Sequence, residues 1–228
     1  MEDLTKSDES EFTEEVFSFP PVRITVVAHK ENDWFQESVA SFANLNYLDK
    51  QLTVLTTGQM EWVEPILSQY FPDAEILEVD PEAGLGANFN AVLSNHDEPA
   101  FYLFCHHDVA LAPDALRLMV EESYRSNAAV VGPKVVNWER PNELLDVGNV
   151  MNSLAVAVQR VEAGEIDQEQ FDSVEQVFAV SNTAFLVRAD LFRALGGFDE
   201  EMGMFGEDLD FCWRAQIAGG KIMVVPGA

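Results

Sequence analysis

Phe101-Tyr102-Leu103-Phe104-Cys105 is an unbroken apolar run closed by the polar triplet His106-His107-Asp108. A run this short with no polar alternation reads as a buried strand, which places the triplet at the strand's carboxyl end. Open α/β sheets hold their ligands at that edge. Side chains alternate along an extended chain, so His106 and Asp108 are expected to project together while His107 points elsewhere. An imidazole beside a carboxylate suits a divalent metal that carries a phosphate.

The rest of the chain supplies a sheet for that strand. Residues 1–19 are acidic and rich in Ser and Thr, the composition of a disordered leader. Pro20-Pro21 then marks the start of a β-branched strand over 22–28. Trp34, Val39 and Phe42 give residues 33–44 a helical spacing, followed by a strand at 51–56, a helix at 61–70 and a strand at 74–79. Gly84-Leu85-Gly86 opens a helix over 87–94, and Pro113 stands in the first turn of a helix over 113–125. This alternation over the first ~135 residues implies a mainly parallel central sheet, flanked by helices and joined by right-handed crossovers. The pattern then changes to a polar loop from 138, a hairpin over 147–158, an acidic helix around 168–176 and strands at 177–180 and 183–187. Helices at 189–195 and 207–218 and a last strand at 221–225 complete the reading.

Charge narrows the partners. A formal net charge of −27 argues against nucleic acid and against basic contact with anionic lipid. A phosphate-bearing ligand would need a cation or backbone amides beside it. Cys105 and Cys212 both lie in apolar stretches and read as buried thiols of a reducing compartment. The start of the chain is acidic where a signal peptide is basic, and no apolar run approaches the ~20 residues that span a bilayer. Both point to a cytoplasmic protein. Few residues follow the last strand, which leaves open that the sequence is a piece of a longer one.

Several segments together resemble the family 2 inverting glycosyltransferases of GT-A fold. They are the strand 22–28, the segment 84–90, the metal triplet with Asp114 behind it, Leu186-Val187-Arg188 leading to Gly196-Gly197-Phe198-Asp199-Glu200, and Gly206-Glu207-Asp208-Leu209-Asp210-Phe211-Cys212-Trp213-Arg214. The resemblance implies one domain over 20–228, possessing a Rossmann-like nucleotide-binding half (20–137) and an acceptor half (138–228). Where the family has Asp-X-Asp, Asp108 fits the last position and His106 replaces the first, a change that suits manganese better than magnesium. The family's general base maps to Asp208, with Glu207 second; an acceptor hydroxyl attacks poorly until its proton is removed. Asp210 falls to a structural or acceptor-binding role, with Arg214 as its ion-pair partner four residues on. Trp213 is expected in the core. Ala28, His29 and Glu31 would lie against the base of the nucleotide. Thr57 stands in the segment where the family carries an acidic residue, and Gly84, Gly86 and Asn88 would back the diphosphate and ribose. His107 and His96 read as loop residues, and 202–205 as a hydrophobic loop over the acceptor side.

What the resemblance implies is a metal-dependent hexosyl- or deoxyhexosyltransferase of polysaccharide or glycolipid synthesis. Its cofactor would be manganese or magnesium, its donor a nucleotide diphosphate sugar, and its acceptor a glycan or lipid-linked glycan. Family members often carry a further metal-ligand histidine just after the segment matching 221–225. Membrane contact, at the cytoplasmic face, would come only through parts outside this sequence. The alternative is a catalytically silent module of the same fold that binds a nucleotide or a protein. His106 in place of Asp and the missing acidic residue favour it; Glu207-Asp208 opposes it. A nucleotidyltransferase would need a Gly-rich basic loop where His29-Lys30-Glu31-Asn32 stands.

Overall fold

The computed structural model describes residues 19–29, 31, 33–58, 61–94, 99–203 and 205–228. The expected leader, apart from Phe19, lies outside the described residues, as do His96 and Met204. The first half runs β1 (Val22–Ala28), α1 (Asp33–Ala43), β2 (Lys50–Thr56), α2 (Val63–Tyr70), β3 (Glu75–Glu78), α3 (Leu85–Phe89), β4 (Phe101–Cys105), α4 (Ala115–Ser126) and β5 (Ala128–Pro133). The second runs β6 (Val135–Val136), β7 (Leu144–Asp146), β8 (Asn149–Met151), β9 (Ala157–Gln159), β10 (Glu175–Gln176), β11 (Ala184–Arg188), α5 (Ala189–Ala194), α6 (Glu207–Ile217) and β12 (Lys221–Val225). One sheet of eight strands, ordered β10-β12-β5-β11-β4-β1-β2-β3, forms the centre. β4, β1, β2 and β3 are parallel, and so are β12 and β5. Only β11, against β4 and β5, and the edge strand β10 run antiparallel. The fold is therefore the expected α/β arrangement with a mainly parallel sheet.

The sheet is covered on both faces, which is why its strands read as continuous apolar runs. Alternation along β4 divides its residues between two cores. Phe101, Leu103 and Cys105 join Phe35, Phe42 and Leu116 on one face. Tyr102 and Phe104 join Phe89, Phe192, Phe198 and Phe211 on the other. Burying each such ring contributes about 1.5–3 kcal/mol, and the Phe104, Phe192, Phe198 and Phe211 rings also meet one another in tilted and edge contacts. This aromatic layer clamps α5 and α6 to the strand that ends in the His-His-Asp triplet.

Several local expectations are corrected. β5 was not among the expected strands; it begins directly after Asn127, whose left-handed φ of 54° ends α4 without a Gly or Pro break. The acidic helix around 168–176 does not form. There Asp167 accepts the amide of Glu169 and Gln170 accepts that of Gln168, so side chains take donors a helix would use. The ladder pairing expected at 177–180 falls instead on Glu175 and Gln176. Helix 87–94 begins earlier, as α3, and tightens into a 3₁₀ turn over Asn90–Ser94. Pro113 precedes α4 rather than entering its first turn. In α1 the buried face is Phe35, Val39 and Phe42, and Trp34 stays 37% exposed. The hairpin expected within 147–158 is present as β8 paired with β9.

Candidate active site

The carboxyl ends of β1 and β4 meet the start of α6 at one side of the sheet. The turn after β4 is fixed from two directions. His106 N–H donates to the Thr183 carbonyl (3.2 Å), and on α1 Ser38 Oγ donates to the His107 carbonyl (3.0 Å). Ser41 Oγ accepts the Leu111 amide at 3.1 Å, so two α1 hydroxyls hold the chain on either side of Asp108. His106 Nε2 is buried with no hydrogen-bond partner.

α6 is entered through Gly206, whose φ of 94° favours glycine. Glu207 is only 2% exposed. Asn182 Nδ2 donates to its Oε1 at 2.6 Å, while Oε2 is buried without a partner. The same Asn182 donates its backbone N–H to Asp208 Oδ2 (3.1 Å), and Leu209 N–H donates to Oδ1 (2.7 Å). Asn182 thus pins both carboxylates. Burial raises both carboxyls above their usual range, with the charge of Asp208 adding to the effect on Glu207 and that of Asp146 to the effect on Asp208. His29 and His107 are shifted down, chiefly by burial and then by neighbouring imidazoles, with Asp108 opposing the shift of His107.

Two cavities open here. The first, of about 530 Å³, is lined by His29, Glu82, His106, His107, Asn182, Phe205, Glu207 and Asp208 among others. The second, of about 630 Å³, is lined by His106 and Asp108 but not His107, together with Trp34, Trp138, Asp146 and Gln159. His106 belongs to both.

The remaining sequence candidates take different places. Ala28 is buried at the end of β1, Glu31 is exposed, and Thr57 is half-buried just past β2. Gly84, Gly86 and Asn88 line neither of these cavities, although Leu85 between the two glycines lines the first. A Cβ on Gly84 would fall 1.9 Å from the Gly203 carbonyl oxygen, and one on Gly86 would meet Phe198 and Glu207, so both glycines serve close packing of α3 against the approach to α6. Asn88 is buried, its Nδ2 without a partner. Asp210 pairs with Arg214 at 2.7 Å, and that guanidinium also donates to the carbonyls of Leu195 and Gly197. Trp213 is not in the core: it is 52% exposed, edge-on to Phe178. Cys105 and Cys212 are buried free thiols, raised well above the ordinary thiol range by burial. Asn182 was not among the sequence candidates. Its only trace is the polar triplet Ser181-Asn182-Thr183 between two apolar stretches.

Among the described residues no group of three His, Cys, Asp or Glu side chains is gathered as a metal cage. His106 and Asp108 provide two donors on one cavity, and the unpartnered buried Nε2 of His106 is the kind of group a cation satisfies. The donor set fits a cation that takes its other ligands from a phosphate and water.

The chain matches the Glycosyltransferase like family 2 over residues 20–228. S. aureus TarS 1-349 superposes with a TM-score of 0.66 at 16% identity, over 91% of this chain and 58% of that one. A second S. aureus TarS structure gives the same score and identity over 35% of its length. GalNAc-T7, solved with UDP, GalNAc and Mn2+, gives 0.72 at 13% identity, over 91% of this chain and 42% of that one. The present chain therefore spans between 35% and 58% of the length of these three structures. A search of curated protein sequences returned no match. With this sheet order, this carboxylate-bearing helix start and a family match over nearly all the described residues, the chain belongs to the glycosyltransferase-like family 2 and has the GT-A fold.

Proposed function

We propose that this domain moves a sugar, with inversion, from a nucleotide diphosphate donor to an acceptor hydroxyl, with a divalent cation bound beside the triplet. One observation carries the reading: Glu207 and Asp208 face the His106-His107 turn across one cavity at the sheet's ligand-binding edge. GalNAc-T7, whose structure contains UDP, GalNAc and Mn2+, lends support through the shared fold.

The base of the nucleotide rests against Ala28, His29 and Glu31 with Thr57 nearby, and Gly84, Gly86 and Asn88 back the diphosphate. Asp108 and His106 hold the cation, manganese in preference to magnesium. When bound there, the cation supplies neutralisation of the charge that develops on the leaving diphosphate. Asp208, more accessible than Glu207, takes the acceptor's proton, and the freed oxygen attacks the anomeric carbon as its bond to the diphosphate breaks. The role of Glu207 is to hold Asn182 and through it the orientation of Asp208. The transferred sugar is a hexose or deoxyhexose, and the acceptor a glycan, free or lipid-linked, of surface polysaccharide or glycolipid synthesis. No helix among the described residues is long and apolar enough to cross a membrane. A cytoplasmic site of action, with any membrane attachment made by other parts, fits that observation.

Calorimetric titration of nucleotide diphosphates with and without manganese tests the reading. Asp108→Ala is expected to lose the metal-dependent part of binding. Asp208→Ala is expected to keep binding and lose transfer. Normal turnover by Asp208→Ala would remove it as the base, and absence of nucleotide binding under every condition would leave a silent binding module.

A further inference from the structure

We propose that Glu82 holds the ribose diol of the donor, and that the domain therefore takes ribonucleotide sugars in preference to deoxyribonucleotide ones such as thymidine diphosphate sugars. The inference rests on the transfer reading above and adds the class of the nucleoside and the residue that selects it.

The turn that carries Glu82 is built to hold one shape. β3 is tied to β2 as far as Val79, whose N–H donates to the Thr56 carbonyl at 2.9 Å. Asp80-Pro81-Glu82-Ala83 then closes as a β-turn, with the Ala83 N–H on the Asp80 carbonyl at 3.2 Å and Pro81 in the second position that proline favours. Asp80 Oδ1 also accepts the Glu82 N–H at 2.9 Å. Beyond the turn Gly84 packs closely on the Gly203 backbone, and α3 packs against β1. The backbone of Glu82 is thus held from both sides, while its side chain is exposed and lines the first cavity.

Glu82 is also the carboxylate of that cavity with both oxygens open. Glu207 accepts from Asn182 Nδ2, and Asp208 accepts from two backbone amides. Glu82 has no side-chain hydrogen bond or ion pair among the described residues. A carboxylate accepts hydrogen bonds and donates none, so it repels a phosphate, whereas two neighbouring hydroxyls can each donate to one of its oxygens. An acidic side chain meets the ribose 2′-hydroxyl by this chemistry in dinucleotide-binding α/β sheets.

The strand order selects among the donor's hydroxyls. It runs β11-β4-β1-β2-β3 across the ligand-binding edge. On the transfer reading the sugar reacts at Asp208, which is held by Asn182 just ahead of β11, and the cation sits at the triplet that follows β4. Glu82 comes from the other side, off β3, whose end lies three strand spacings from that of β4, roughly 14 Å. A donor with its sugar at Asp208 and its diphosphate at the cation extends its nucleoside toward β1 and Glu82. Ribose is the first unit beyond the diphosphate and bears the vicinal hydroxyls.

The test is calorimetric titration, with manganese, of uridine 5′-diphosphate against its 2′-deoxy and 2′,3′-dideoxy analogues, with guanosine 5′-diphosphate alongside. In the native domain loss of the 2′-hydroxyl is expected to weaken binding about tenfold, as for one hydrogen bond to a charged group, and loss of both hydroxyls to weaken it further. Glu82→Ala is expected to bind the three uridine compounds alike. It should bind the dideoxy analogue as tightly as the native domain does, which shows that the variant is folded. Glu82→Gln keeps one acceptor oxygen and is expected to fall between the two. Native binding that ignores the missing hydroxyls, discrimination that survives Glu82→Ala, or an effect of Glu82→Ala confined to the choice between uracil and guanine would each overturn the proposal while nucleotide binding stands. Absence of binding by every nucleotide would instead strike the transfer reading, and this inference with it.

Discussion

Gly86→Ala sets two effects of opposite sign against each other. Gly86 lies in α3, where alanine gains about 1 kcal/mol in helix propensity over glycine. Against this, an added Cβ would stand 2.9 Å from Phe198 Cβ and 3.0 and 3.1 Å from Glu207 Cβ and Cγ. Carbon atoms pack at about 3.5–4.0 Å, and a Cβ cannot rotate away from a clash as a flexible chain end can. Overpacking of this kind costs about 1–3 kcal/mol. Two separate elements are pushed at once, so the upper part of that range applies and the net loss is about 1–2 kcal/mol, or roughly 2–8 °C in Tm for a domain of this size. The displaced group is Glu207, so transfer should fall further than nucleotide binding. Thermal unfolding followed by circular dichroism, with both activities measured on the same preparation, checks this. A Tm equal to or above that of the native protein would refute the close approach of α3 to the start of α6.

In the proposed role of base Asp208 must be ionised, and burial holds its carboxyl above the ordinary aspartate value of about 3.9. Activity is therefore expected to fall as pH drops through that raised value, and Asp146→Asn, by removing a neighbouring negative charge, to move the acidic limb of the kcat/KM profile downward. Asn182→Ala leaves neither oxygen of the buried Glu207 with a side-chain donor, a loss of about 1–3 kcal/mol readable by urea denaturation, with transfer reduced as well. Arg214→Lys keeps the charge but cannot serve Asp210 and the Leu195 and Gly197 carbonyls together; a Tm lowered by several degrees is expected, and an unchanged Tm would deny the staple. His106→Asp supplies a second hard oxygen donor and should raise turnover with magnesium relative to manganese.

The boundaries of β1, β4 and β12 coincide with runs dominated by apolar residues because most of their positions are buried; β4 carries none but apolar side chains, while β1 also buries Arg23 and Thr25. The Gly196-Gly197-Phe198 turn and the start of α6 were legible for a similar reason. Gly197, at φ 79°, leaves room for Asn90, whose side chain bonds both the N–H and the carbonyl of Phe198. What the sequence hid depends on distant partners. Nothing local tells Asn182 that two carboxylates will lie against it from a helix 25 residues on. The segment 168–176 has helical composition, and its own side-chain caps, the pull of Lys134 on Asp167 and Asp172, and the pairing of Glu175 and Gln176 with β12 keep it open. Trp213 sits one position after buried Cys212, so a small rotation of α6 decides between core and solvent.

Electrostatics ties the triplet to the rest of the site. The first cavity is lined by three imidazoles and three carboxylates, and among the described residues its wall holds neither Lys nor Arg. The positive end of the α6 dipole is directed at its own Glu207 and Asp208, already engaged by acidic groups. α3 is a helix of five residues, and Gly84 at its start packs closely on the Gly203 backbone. A diphosphate brought into such a place meets no fixed counter-charge, so a cation that travels with it is the neutralising charge left to the system. On the proposed reading the exchange of a carboxylate for His106 has a physical logic: it would keep a donor atom for the cation while removing one negative charge from a chain with a net charge of −27.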